Sequence, residues 1–269
     1  MRSPLTYYGG KARMTDMLLA LIPAHKTYVE AFAGGASLFW AKPPSGAEYL
    51  NDLNGNIANL YQVMKCDFDA LAALIANTLH CEYTFLQCKE IYHCPDGHDS
   101  ITRAWATFFA VNMAFGGEAG GSWQWAMNNN DNWTPAVRTD NRRRRFITYR
   151  NRLEKVTIFS RDALEIIARL DKPDTFFYLD PPYVNARQGH YSGYCQEDFD
   201  QLINLLSGLK GKFLMSSYQN HYLTEKTLEK GWNQQHIDMR LGVASGNLRK
   251  TEVLTYNYSP DKMTLFDEC

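Results

Sequence analysis

Apolar and polar positions along the chain alternate between two rhythms. Tyr28-Val-Glu-Ala-Phe32 is a short apolar run that reads as a strand, and Gly34-Gly35 then lead into a short helix through Trp40. Glu48-Tyr-Leu-Asn51 reads as a second strand, closed by Asp52. Ile57, Leu60, Tyr61 and Met64 recur at the three- and four-residue spacing of one helix face. Further on, Val156–Phe159 and Thr175–Leu179 read as strands, with a helix over Ala163–Leu170 between them. Phe199, Leu202, Ile203, Leu206 and Leu209 mark another helix, while Lys212–Ser216 and Glu252–Tyr258 have strand composition. Strands alternating with helices predict an α/β fold, a mostly parallel sheet covered by helices on both faces.

Residues 66–155 interrupt this alternation. The stretch is helical at first (Leu71, Leu74, Ile75), then aromatic and Gly-rich, then Asn-rich at Asn128–Asn132, then basic. It reads as an inserted lobe packed against a domain made of 1–65 and 156–269. No repeat or low-complexity linker separates the two.

Composition narrows the class. Of 269 residues 45% are hydrophobic and 21% charged, which is ordinary globular usage. No uncharged apolar run approaches the ~20 residues of a membrane-spanning helix, and the polar N-terminus lacks the apolar core of an export signal. Six cysteines are few for a disulfide scaffold of this length. Cys81, Cys88 and Cys94 lie among His80, His93 and His98, but their spacings are not the tight pairs of a zinc site, and no metal is expected.

Net charge is only −1, yet its distribution is uneven. Arg138, Arg142, Arg143, Arg144, Arg145, Arg150, Arg152 and Lys155 crowd one segment in which only Asp140 and Glu154 oppose them. Such a stripe is either a solvated helix face or the footprint of a polyanion.

Two motifs carry chemistry. Glu30-Ala-Phe-Ala-Gly-Gly-Ala36 follows a strand, and Asp52 closes the next one. Glycine lets a ligand approach the backbone, and a carboxylate at this distance suits ribose hydroxyls. Ser37 and Leu38 stand where the third glycine of a dinucleotide fingerprint belongs, which argues against a hydride-transferring enzyme. Asp180-Pro-Pro-Tyr183 follows the strand Thr175–Leu179. Its prolines have no N–H, so the segment offers only acceptors beside an aromatic face. A planar exocyclic amine fits there, with its hydrogens on the Asp180 carboxylate and the Pro181 carbonyl and its ring against Tyr183. Held so, the nitrogen lone pair is freed to attack an electrophilic methyl. The same chemistry serves adenine, cytosine N4 or an amide nitrogen.

The chain resembles the Dam-like (D12 class) adenine-specific DNA methyltransferases along nearly its whole length. Tyr7-Tyr-Gly-Gly-Lys11 resembles their N-terminal cofactor motif, Glu30–Gly35 their Gly-rich loop and Asn51-Asp52 their ribose-binding acid. Arg161-Asp-Ala-Leu164 is similar to the motif that reaches the cofactor's adenine, and Asp180–Tyr183 to the catalytic tetrapeptide with Pro182 inside it. The resemblance implies a Rossmann-like sheet and S-adenosylmethionine as methyl donor, leaving S-adenosylhomocysteine. It implies cofactor contacts from Tyr8, Lys11, Glu30, Phe32, Gly34, Asp52, Asp162 and Asp180.

It also implies double-stranded DNA as partner, a flipped adenine methylated at N6, and 66–155 as the recognition lobe. Arg138, Arg142, Arg143, Arg144 and Arg145 would then meet phosphates, and Asn128 and Asn130 base edges. Ala114–Glu118 and the tryptophans Trp123, Trp125 and Trp133 are further candidates in that lobe. Members that methylate GATC carry an Asn-Val-Pro segment where this chain has Phe109–Phe115, which places it nearer phage-type members. A cytoplasmic enzyme without an obligatory protein partner is expected. Val184–Cys195 is expected to order over the flipped base.

Overall fold

Five parallel strands set the frame. In the computed structural model, which describes residues 1–6, 11, 14–125, 134–184, 193–240 and 249–260, they are β1 (Thr27–Glu30), β2 (Ala47–Asn51), β3 (Val156–Phe159), β4 (Thr175–Leu179) and β5 (Lys212–Ser217). Two further strands complete the sheet, β6 (Asn233–Arg240) and β7 (Arg249–Tyr256), of which β7 runs antiparallel to both β5 and β6. The order is β3-β2-β1-β4-β5-β7-β6. The order in which the chain adds strands therefore reverses between β1 and β4, which pair in parallel with Glu30 opposite Tyr178. Ligands of open α/β sheets bind where the order reverses, outside the carboxyl ends of the strands.

The sheet feeds two cores. Tyr28, Leu50, Phe176, Leu214 and Leu254 point to one face; Val29, Phe177, Leu179, Phe213 and Met215 point to the other. All five residues of β4 are buried, so this central strand reads as an unbroken apolar run. The second face is covered by α8 (Ala163–Leu170) and α9 (Gln196–Leu206), through Ile166, Ile167, Phe199, Leu202 and Ile203. Leu223 of α10 (His221–Lys230) joins them.

The first face holds α1 (Thr15–Ala20), α2 (Ser37–Ala41), α3 (Gly55–Cys66) and the helices of the insert. These are α4 (Phe68–Asn77), α5 (Glu82–His93), α6 (Ser100–Asn112) and α7 (Pro135–Arg145). The insert shares the sheet's hydrophobic core. In α6 the run Ala106–Asn112 is buried without a break, the pattern of a helix apolar all round. Asn112, at its end, accepts the Thr6 amide at 2.9 Å and donates to the Pro4 carbonyl at 3.0 Å. The insert thus fixes the chain that leads to Lys11.

Arg152 locks the return from the insert. Its guanidinium binds both oxygens of Glu48 and lies 3.7 Å from the centre of the Phe39 ring. Lys42 meets the same carboxylate at 2.6 Å. Burial works against the Glu48 charge, but Arg152 and Lys42 outweigh it and hold the carboxyl below its usual range.

Candidate active site

The loop after β1 is shaped by two carboxylates. Asp52 Oδ2 accepts the Gly34 amide at 2.6 Å and Oδ1 accepts the Asn54 amide at 2.8 Å. Gly34 has φ +46°, in the left-handed region where glycine costs least. Glu30 faces inward at 1% exposure; one of its oxygens takes the Tyr28 hydroxyl at 2.6 Å and the Phe39 amide at 2.7 Å. The second bond caps α2, whose own N-cap, Ala36, has no side chain able to do so. Burial pushes the Glu30 carboxyl up to about 7 and Asp52 up to about 6, the latter against its two amide bonds. Glu30 therefore shapes the loop from behind rather than facing a ligand.

Beside this loop lies a cavity of about 540 Å³. Phe32 comes to it from the loop after β1, Asp52 from the residue after β2, Asp162 from the start of α8 and Pro182 from the tetrapeptide after β4. Asp162 also caps α8, accepting the Leu164 and Glu165 amides at 2.8 and 3.2 Å. Asn51 binds the Ala31 carbonyl and both the amide and carbonyl of Arg161, so three strand ends are fastened together at the rim. The Tyr194 hydroxyl, in the cavity wall, is buried with no hydrogen-bond partner among the described residues. A buried hydroxyl without a partner is costly unless a ligand supplies one. Aromatic and apolar walls, the carboxylates of Asp52, Asp162 and Asp198 and an unmet hydroxyl suit a nucleoside, so the donor set fits S-adenosylmethionine.

Asp180 stands at the end of β4 beside β1, two residues beyond the Tyr178–Glu30 register pair. Its Oδ1 is 2.7 Å from Lys11 Nζ and 3.2 Å from the Tyr183 hydroxyl. Burial raises the Asp180 carboxyl, Lys11 pulls it back, and the result stays above the usual aspartate value. Burial disfavours the Lys11 ammonium, but Asp180 and Glu252 outweigh it and raise its pKa. Tyr183 is 8% exposed, edge-on to Tyr218 with ring centres 4.3 Å apart. Its ring is covered, not presented for stacking, in this arrangement.

The structure brings together Phe32, Asp52, Asp162 and Pro182 in one cavity, and Lys11, Asp180 and Tyr183 in a cluster next to it. Sequence reasoning missed Glu252 of β7, which reaches that cluster, and Tyr194. A lone glutamate opening the apolar strand segment Val253–Tyr256 was the available signal for the first. Tyr8 and residues 185–192 of the expected ordering loop lie outside the described residues.

The basic segment is not one free face. Arg143 and Arg144 both pair with Asp140, Arg150 pairs with Asp69, and Arg152 is held by Glu48. The last two partners come from distant sequence, invisible to a local charge count. No ion pair engages Arg138, Arg142 or Arg145 among the described residues. Trp123 is partly buried and stacked on His80, whereas Phe115 and Trp125 are 62% and 61% exposed. Asn128, Asn130 and Trp133 lie outside the described residues. No group of three His, Cys, Asp or Glu side chains able to hold a metal occurs among the described residues, and no helix there is long and apolar enough to cross a membrane.

The family profile of D12 class N6 adenine-specific DNA methyltransferases matches residues 7–237. The type II methyltransferase M1.LlaDCHI of Lactococcus lactis subsp. cremoris is 25% identical over 276 aligned positions, covering 93% of each chain.

Proposed function

The chain belongs to the D12 class of N6 adenine-specific DNA methyltransferases, and on that footing we propose that it methylates N6 of an adenine flipped out of double-stranded DNA, within a preferred sequence. The observation that carries the reading is the position of Asp180 at the reversal of strand order, with Pro182 in the wall of the adjoining cavity. S-adenosylmethionine, when bound, supplies an electrophilic methyl group. Phe32, Asp52, Asp162 and Tyr194 would hold its nucleoside. The Asp180 carboxylate and the Pro181 carbonyl would accept the amine hydrogens and orient the nitrogen. The chain contributes positioning and preorganised acceptors rather than a nucleophile of its own.

An adenine inside the duplex is out of reach, so extrusion precedes chemistry, at a cost of a few kcal/mol. Tyr218 has to move off the Tyr183 ring for that ring to stack on the base. In this reading 1–65 and 156–269 form the catalytic domain and 66–155 the recognition domain. Arg138, Arg142 and Arg145 contact phosphates; Arg143 and Arg144 do so only by giving up Asp140. The absence of an Asn-Val-Pro segment favours a phage-type target other than GATC, and the likeness to a type II methyltransferase is compatible with a role beside a restriction enzyme.

The test is modification-sensitive sequencing of DNA from cells without endogenous adenine methylation, expressing wild type or Asp180→Ala. N6-methyladenine only with wild type, in one sequence context, supports the reading. Its absence with folded wild type overturns it.

A further inference from the structure

Glu252 is 2% exposed, and β7 lies inside the sheet between β5 and β6. Because β7 runs antiparallel to β5, with Val253 opposite Ser217, its early residues reach the carboxyl ends of the parallel strands. Among the described residues the Glu252 side chain meets Lys11 Nζ at 3.2 Å and the Tyr183 hydroxyl. Both groups also touch Asp180 Oδ1. A buried carboxylate persists only where partners compensate for lost water, and here both partners belong to the catalytic cluster.

We infer that Glu252 is a positioning residue for methyl transfer, the anion that draws Lys11 and the Tyr183 hydroxyl away from Asp180 when a substrate amine arrives. The inference rests on the methyl-transfer reading of Asp180. A carboxylate that already holds an ammonium at 2.7 Å is a weaker acceptor for an amine. Removing the ammonium altogether would leave a buried cation unpaired, which is worse. Glu252 resolves this, since Lys11 already lies between the two carboxylates and a small displacement transfers it. The tyrosine has one hydroxyl proton and two acceptors within reach, so the same exchange turns it toward Glu252.

The test compares wild type, Glu252→Gln, Lys11→Met and the double variant in single-turnover methylation, with cofactor affinity measured separately by calorimetry. Glu252→Gln is expected to lower the transfer rate about tenfold while cofactor affinity stays within about twofold. Glu252 raises both Asp180 and Lys11, so both limbs of the rate–pH profile should move to lower pH in this variant. In the Lys11→Met background the same substitution should cost much less, because only the Tyr183 hydroxyl remains to be held. The ammonium ¹⁵N resonance of Lys11 should shift or vanish in Glu252→Gln. Independent, additive losses or an unmoved pH profile would overturn the role while leaving the methyl-transfer reading intact. No methylation by wild type would overturn both. If Glu252→Gln does not fold, Glu252→Asp takes its place; a wild-type rate in that variant, with an unchanged Lys11 resonance, overturns the role.

Discussion

Asp52 and Gly34 are joined across eighteen positions of chain, the carboxylate accepting the glycine amide at 2.6 Å. The same carboxylate lines the cavity, so one side chain both shapes the loop after β1 and faces the ligand space. Asp52→Ala should therefore weaken S-adenosylmethionine binding at least ~10-fold and destabilise the fold by ~1–3 kcal/mol through the orphaned amides. Calorimetry and urea unfolding measure the two effects. Undiminished affinity would remove Asp52 from the cofactor site.

The affinity should also depend on pH with a definite sign. Ligand hydroxyls donate to the charged carboxylate, and burial holds Asp52 up at about 6. Binding is expected to be full above that value and to fall as pH drops through it. Asp52→Asn should bind weakly and without this dependence.

Replacing Asp180 by Ala should lower the methylation rate by at least ~10²–10³ with cofactor binding largely kept. The structure supports the separation, since Asp180 is not among the residues lining the cavity and Lys11 retains Glu252. Equal loss of rate and of cofactor affinity would place Asp180 in cofactor binding instead.

Glu30 gives a stability prediction. Its folded value of about 7 lies above the ordinary 4.5, so its contribution is fully present below about pH 4.5 and is lost as pH rises past 7. Glu30→Gln keeps an acceptor for both the Tyr28 hydroxyl and the Phe39 amide and does not titrate. Its stability should exceed that of wild type at pH 8 by up to ~3 kcal/mol, with the gap closing toward pH 5. A gap independent of pH would contradict the assignment.

The arginines should divide into two groups. Alanine at Arg138 or Arg145 is expected to reduce the salt dependence of DNA binding by about 0.9 in slope per phosphate contact, with stability unchanged. Arg152→Ala breaks a buried pair and should cost on the order of 3 kcal/mol, leaving the slope alone. A changed slope for Arg152→Ala in folded protein would put that residue on the DNA.

The parallel strands and Asp180 were legible because burial on both faces makes β4 an apolar run, and the end of such a run marks where a ligand can sit. β6 was not. Its sequence, Asn-Gln-Gln-His-Ile-Asp-Met-Arg, is mostly polar, and it is an edge strand held, among the described residues, by β7 alone. α10 escaped notice because only Leu223 and Thr227 are buried, too few to set a periodicity. At the site, motif residues were found by their spacing, whereas Glu252 and the Glu48–Arg152 pair depend on contacts across the fold that no local window contains.

The placement of β7 between β5 and β6 also governs the order in which the molecule becomes whole. During synthesis β6 emerges first, but β7, its neighbour in the sheet, has not yet been made. A ribosome-bound chain that stops before β7 has no β7 beside β5, an eight-residue β6 without that partner and an Asp180 and Lys11 without Glu252. Such contacts between distant parts of the chain form late and slowly. Every residue named around the nucleoside cavity is made before β7, whereas the amine cluster waits for Glu252.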